Sequence, residues 1–125
     1  MPAGTRTPIV LVLCALLLAA CGGSGAAVKE PSSRFTVTLD DFLIRPQNIT
    51  VPSGREFKLT VANRGRLGHT FRIRTRTDRN VLAFTAIEPG GSKTRSFKLG
   101  RGTYTMYCVL ANHEELGMYG TLKVD

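Results

Sequence analysis

The sequence predicts an all-β fold, a Greek-key β-sandwich of seven to eight strands. Three observations lead there. From Phe35 onward apolar residues recur at alternate positions, the period of a half-buried strand. Turn-forming residues interrupt that alternation roughly every 8–12 residues. No stretch of the same region has the apolar spacing of an amphipathic helix, and no internal repeat is visible.

The elements follow in order. Phe35, Val37 and Leu39 alternate with Thr36, Thr38 and Asp40. Residues 43–51 form a second extended stretch, broken by Pro46. Proline brings no amide hydrogen to a ladder, so this stretch should be an edge strand or a crossing between sheets. Pro52-Ser53-Gly54 is a turn. Phe57, Leu59 and Val61 then alternate with Lys58, Thr60 and Ala62. Residues 63–68 are a glycine-rich loop. His69, Phe71 and Ile73 share one strand parity and Arg72 and Arg74 the other, so His69 opens an inward face. Residues 75–80 are polar and basic. Residues 81–87 are apolar and fit either a strand or a short helical turn. Glu88-Pro89-Gly90-Gly91 turns the chain, residues 92–99 read as a strand, and Gly100-Arg101-Gly102 turns it again. Tyr104, Met106 and Cys108 share a face of the next strand; Met118, Gly120, Leu122 and Val124 share a face of the last. A domain this small buries only about 60–65% of its unfolded surface. The expected core is therefore lean: Phe35, Val37, Phe57, Leu59, Val61, Phe71, Ile73, Phe97, Tyr104, Leu122 and Val124.

The first quarter of the chain reads differently. Residues 9–20 form a twelve-residue apolar run after Arg6. A membrane span needs about 20 apolar residues. The run suits the apolar region of a signal peptide over residues 1–20. It ends Leu18-Ala19-Ala20-Cys21, which resembles a bacterial lipobox. That implies cleavage before Cys21 and a lipid on its sulfur; an ordinary secretory signal cut nearby is the alternative. Residues 21–33 are then the lipidated cysteine and a small, polar, flexible tether, and residues 34–125 the folded domain. The expected location is the cell envelope, lipid-anchored on the extracytoplasmic side, periplasmic or at the outer cell surface.

Of three cysteines, Cys14 leaves with the signal and Cys21 carries lipid. Cys108 remains alone, so the mature chain has no disulfide. A lone thiol in an oxidising compartment is a hazard, whereas a metal-bound thiolate is protected. The formal net charge is +8, and it becomes +7 once Arg6 is lost. Export argues against nucleic acid as the partner of that charge. Anionic headgroups or an acidic redox partner suit it better.

The chemistry concentrates in Tyr107-Cys108-Val109-Leu110-Ala111-Asn112-His113-Glu114-Glu115-Leu116-Gly117-Met118. Cys108, His113 and Met118 are five positions apart, and His69 is the one other histidine. Two imidazoles, a thiolate and a long axial thioether describe a blue-copper electron-transfer site. Cys-x4-His-x4-Met followed by Gly-Thr-Leu-Lys-Val resembles the C-terminal copper loop of the cupredoxins, with rusticyanin-like and auracyanin-like members similar in spacing. The segment Asn63-Arg64-Gly65-Arg66-Leu67-Gly68-His69-Thr70-Phe71 resembles the loop that supplies their first histidine. Ala111-Asn112 stands where a Pro-Gly pair is common, and Thr70 where Asn often follows that histidine. The resemblance implies a cupredoxin-like sandwich holding one copper ion, Cu(I) or Cu(II), on His69, Cys108, His113 and Met118. It implies a weak axial carbonyl from Gly68. Asn63 and Thr70 become candidates to hydrogen-bond loop backbone or the Cys108 sulfur. It makes His113 the exit for electrons, within an apron of Leu67, Leu110, Ala111, Leu116 and Gly117 that Glu114 and Glu115 interrupt.

The expected function is one-electron transfer by a monomer, with a cytochrome, oxidase or reductase as redox partner, no nucleic acid, and no enzymatic activity of its own. Copper storage or delivery is the alternative, although the chain lacks the Met-rich or paired-Cys motifs of many copper carriers. A copper enzyme needs further histidines for a second centre. Structural zinc prefers four Cys/His ligands.

Overall fold

The computed structural model describes residues 26–125; the expected signal peptide and Cys21 lie outside the described residues. Ten strands and no helix occur among the described residues: β1 (Val28–Lys29), β2 (Arg34–Asp40), β3 (Leu43–Arg45), β4 (Asn48–Val51), β5 (Glu56–Asn63), β6 (His69–Arg74), β7 (Asn80–Ile87), β8 (Ser92–Lys98), β9 (Gly102–Tyr107) and β10 (Tyr119–Val124). They form a six-stranded sheet, β1-β4-β10-β9-β6-β7, and a four-stranded sheet, β3-β2-β5-β8. The two sheets enclose one apolar core.

Strict alternation explains the strands. In β2 and β5 the residues Phe35, Val37, Leu39, Phe57, Leu59 and Val61 are buried, while their neighbours face outward. The apolar stretch 81–87 resolves as a strand, with Leu82, Phe84 and Ile87 turned inward and β6 as its partner.

Two features raise the strand number above the expected seven or eight. At Pro46 the chain leaves the four-stranded sheet for the six-stranded one, so the stretch 43–51 becomes β3 paired with β2 and β4 paired with β10. Val28–Lys29, within the stretch expected to be tether, pairs in parallel with β4 instead. The Glu30 amide continues that ladder to the Thr50 carbonyl at 2.9 Å. The backbone of residues 28–30 gains partners that a free tether would forgo.

The core is larger than expected, taking in Leu39, Ile44, Ile49, Val51, Leu82, Phe84, Ile87, Leu99 and Met106. Phe97 and Tyr104 are corrected from core to margin: both are only partly buried. Phe97 lies on an edge strand. The Tyr104 hydroxyl donates to the Gly100 carbonyl at 2.8 Å, which keeps that end of the ring near solvent.

Sheet register brings the functional residues to one pole. The end of β9 lies beside the start of β10 through the pair Tyr107–Tyr119. Arg72–Tyr107 sets the start of β6 at the same end. The parallel pair β2–β5 delivers Leu39 beside Asn63 there too. Gly120 permits this packing. A Cβ at that position would collide with the Gln47 carbonyl and come within 3.0 Å of Met106 Cε. Gly120→Ala should therefore destabilise the metal-free domain by about 1–3 kcal/mol. The expected readout is a lower urea midpoint at unchanged slope.

Candidate metal centre

Three elements supply the donors. His69 is the first residue of β6, and its side chain is fully buried. Cys108 stands one residue beyond β9 and is also buried. His113 lies in the loop that returns to β10 and is half-buried. The Nδ1 atoms of the two imidazoles are 3.3 Å apart, and Cys108 Sγ is 3.6 Å from His113 Nδ1. The candidate ligand atoms of all three residues lie within 4.8 Å of one another. Three lone-pair donors facing one point repel unless a proton or a cation sits among them. Two imidazole nitrogens and one thiolate suit a copper ion.

The far side of His69 is held by a carboxylate. Its Nε2 is 3.3 Å from Asp41 Oδ1. A proton on Nε2 donates to Asp41 and leaves Nδ1 free to ligate, the arrangement in which an outer carboxylate orients a metal-bound imidazole. Burial pushes the His69 pKa down, against the Asp41 hydrogen bond, which raises it. Neutral imidazole is the ligating form. Asp41 is itself held below the usual carboxylate range, first by the Arg66 backbone N–H. That amide donates to both its oxygens, at 2.9 and 3.1 Å, and the Leu67 amide donates at 3.2 Å. Gly65 makes room for this: a Cβ there would strike Asp41 Oδ1.

Asn63 braces the loop from inside. Its side-chain amide donates to the carbonyls of Leu67 at 2.8 Å and Ile87 at 2.7 Å, and its oxygen accepts from the Gly65 amide at 2.9 Å. Thr70 Oγ1 accepts from the Val109 amide at 3.0 Å and lies 3.5 Å from Cys108 Sγ. Its hydroxyl hydrogen is then free to donate toward the sulfur.

Met118 is fully buried next to the donors. Its amide donates to the His113 carbonyl at 2.9 Å, and its carbonyl accepts from the Cys108 amide at 3.2 Å. Gly68 directly precedes His69 and is half-buried. Leu67, Leu110 and Leu116 are exposed in the loops that carry the donors, as is Ala111. Glu114, expected to interrupt that apron, pairs with Arg74.

Sequence reasoning missed Asp41 and Phe42. The Phe42 ring packs edge-on against His113 with centroids 5.1 Å apart. Both sit in the β2–β3 turn, far along the chain from the ligands, and no spacing links them to the motif. The one available signal was an acid pair, Asp40-Asp41, at a strand end.

The model of the cupredoxin-like domain family matches residues 9–122. The chain belongs to the cupredoxin-like family. For such a domain with these donors converging, the cofactor is copper. No curated protein matches the chain in sequence. Among solved structures, dithionite-reduced auracyanin from the photosynthetic bacterium Roseiflexus castenholzii is similar at 22% identity and a TM-score of 0.69, over 77% of this chain and 99% of that one. Rusticyanin from Thiobacillus ferrooxidans is similar at 20% identity and a TM-score of 0.66, over 82% and 84% of the two chains. Auracyanin B gives 22% identity and a TM-score of 0.66, over 83% and 96%. At these identities the likeness is one of fold. Among the described residues no helix is long and apolar enough to cross a membrane.

The Asp41 contact makes a quantitative demand on this cupredoxin. Asp41→Ala should weaken copper binding about 10- to 100-fold. Competition with a chelator of known affinity measures it.

Proposed function

We propose that this cupredoxin carries single electrons between redox proteins of the cell envelope, held on the extracytoplasmic side by a lipid on Cys21. One observation supports it most: two imidazole Nδ1 atoms and the Cys108 sulfur converge at one pole, where His113 is half-buried beside exposed leucines. Cupredoxins are electron carriers that work with redox partners, and a rusticyanin of similar fold is described as a copper protein.

When bound, copper supplies a one-electron couple. The chain's residues do the rest. In this reading His69, Cys108 and His113 would hold the copper, with the Met118 thioether and the Gly68 carbonyl as further weak donors. His69 and Cys108 are fixed by the sheet and by Thr70 and Asp41, so their donors need move little between oxidation states. The apolar surroundings, including Phe42 and Met118, exclude water and disfavour the higher charge state, which raises the potential. Half-buried His113 is the contact for a partner in this reading, and the exposed Leu67, Leu110 and Leu116 allow brief apolar docking. A cytochrome, oxidase or reductase fits that surface, with this chain acting as a monomer.

The test uses residues 22–125 with added Cu(II), before and after a mild reductant, beside Cys108→Ser. An intense visible thiolate-to-copper band, bleached and restored reversibly and absent from the variant, is expected. Colourless protein, or release of copper on reduction, would overturn electron transfer and favour copper delivery. Met118→Leu should keep the band and raise the potential, because loss of a sulfur donor disfavours Cu(II). A voltammetric titration of both proteins checks it.

A further inference from the structure

Arg74 ends the strand that His69 begins. Its guanidinium reaches the ligand loop. Nη2 meets Glu114 Oε1, and Nη1 is 3.3 Å from Glu114 Oε2, a two-pronged pair. Nε lies 3.4 Å from Asp78 Oδ1. The guanidinium carbon sits 4.1 Å above the centre of the Tyr107 ring. The Tyr107 hydroxyl donates to Asn80 Oδ1 at 2.7 Å, which fixes that ring in turn.

The positions of these partners give the contact its meaning. Tyr107 directly precedes Cys108, and Glu114 directly follows His113. One guanidinium thus joins the neighbours of two donors that come from different elements.

The loop needs such a tie. Residues 109–117 contain no proline. Their internal hydrogen bonds are local turns: His113 to Leu110, Leu116 to Asn112 and Gly117 to Glu114. Ala111 adopts a φ of +42°, a left-handed conformation that non-glycine residues enter reluctantly. Thr70 holds the loop's start at Val109, and the Met118 backbone holds its base. Among the described residues, Glu114 makes the loop's ion pair to the sheet. The side chains of Arg74 and Glu114 are 25% and 35% exposed, so water screens the pair less than it would two free surface charges. The Glu114 hydrogen bond also raises the Arg74 pKa, so the cation persists.

We infer that Arg74 is a positioning residue for the metal centre: through Glu114 and Tyr107 it clamps the ligand loop to the sheet and sets His113 relative to Cys108. This rests on the copper reading proposed above. Fork geometry and stacking both matter, so lysine, which keeps only the charge, is a poor substitute.

The test compares the full chain with Glu114→Gln, Arg74→Lys, Arg74→Gln and the Arg74→Gln/Glu114→Gln double variant. Amide exchange of His113, Leu116 and Gly117 is read without metal; the visible band and copper release to a chelator are read with it. In Glu114→Gln, loop exchange and copper release should each accelerate about fivefold, the scale of one partly buried ion pair. The band should shift while exchange in the β5 core stays unchanged. Arg74→Lys should follow Glu114→Gln, and the double variant should be no worse than Arg74→Gln alone. Unchanged exchange and release in Glu114→Gln, or additive effects in the double variant, would overturn the clamp. Copper uptake failing in the wild-type chain would overturn the copper reading, while the exchange arm would still decide whether the loop is clamped.

Discussion

The structure depends on bringing three electron-rich side chains together without letting them disperse. Nitrogen, nitrogen and sulfur lone pairs pointed at one centre are unfavourable neighbours in the absence of a proton or cation. Sheet pairing opposes their separation. The Arg72–Tyr107 and Tyr107–Tyr119 register pairs place the start of β6, the end of β9 and the start of β10 side by side. His69 and Cys108 are therefore neighbours because of ladder hydrogen bonds along whole strands. His113 lies farther from any strand, in the turns between β9 and β10, and it is the donor nearest solvent. His69 and Cys108 are thus candidate ligands held at strand ends, and His113 is one carried by the loop that leads into β10.

Electrostatics orders the donors. Asp41 takes backbone amides from Arg66 and Leu67 and faces His69 on the side away from the centre. One carboxylate therefore shapes the loop before β6 and selects which histidine nitrogen points inward. Thr70 does the analogous task for sulfur, spending its acceptor on Val109 and keeping its hydrogen for Cys108. Each polar group has a backbone partner and a donor partner. Distortion of either loop would thus be felt at the ligands.

Much of this was legible in the chain. Alternation in Phe35–Leu39, Phe57–Val61 and His69–Ile73 marks strands because one face of each is buried, and parity alone placed His69 inward. Cys108, His113 and Met118 announce themselves because one short loop carries all three. What was hidden depends on contacts between remote segments. Asp41 is adjacent to His69 only because β2 and β5 pair in parallel and present their ends at one pole. The pairing of β1 with β4 had no signal, since two residues cannot show a period. Phe97 and Tyr104 alternate like core residues; their places near a sheet edge and a turn decide otherwise. Arg74 looked like any outward basic residue, because its partner Glu114 is forty positions away.

The position of β1 also changes how the proposed anchor would act. A free tether to residue 33 would leave the domain wide freedom over the membrane. With Val28 paired to Ile49, the chain between Cys21 and the sheet is residues 22–27. Six residues span at most about 20–22 Å even when fully extended. On that geometry a lipid on Cys21 would hold the β1 edge within one short reach of the headgroups. With such an anchor, turning of the domain rather than travel would bring the His113 pole to a partner, and that partner would have to sit at the membrane surface or come to it.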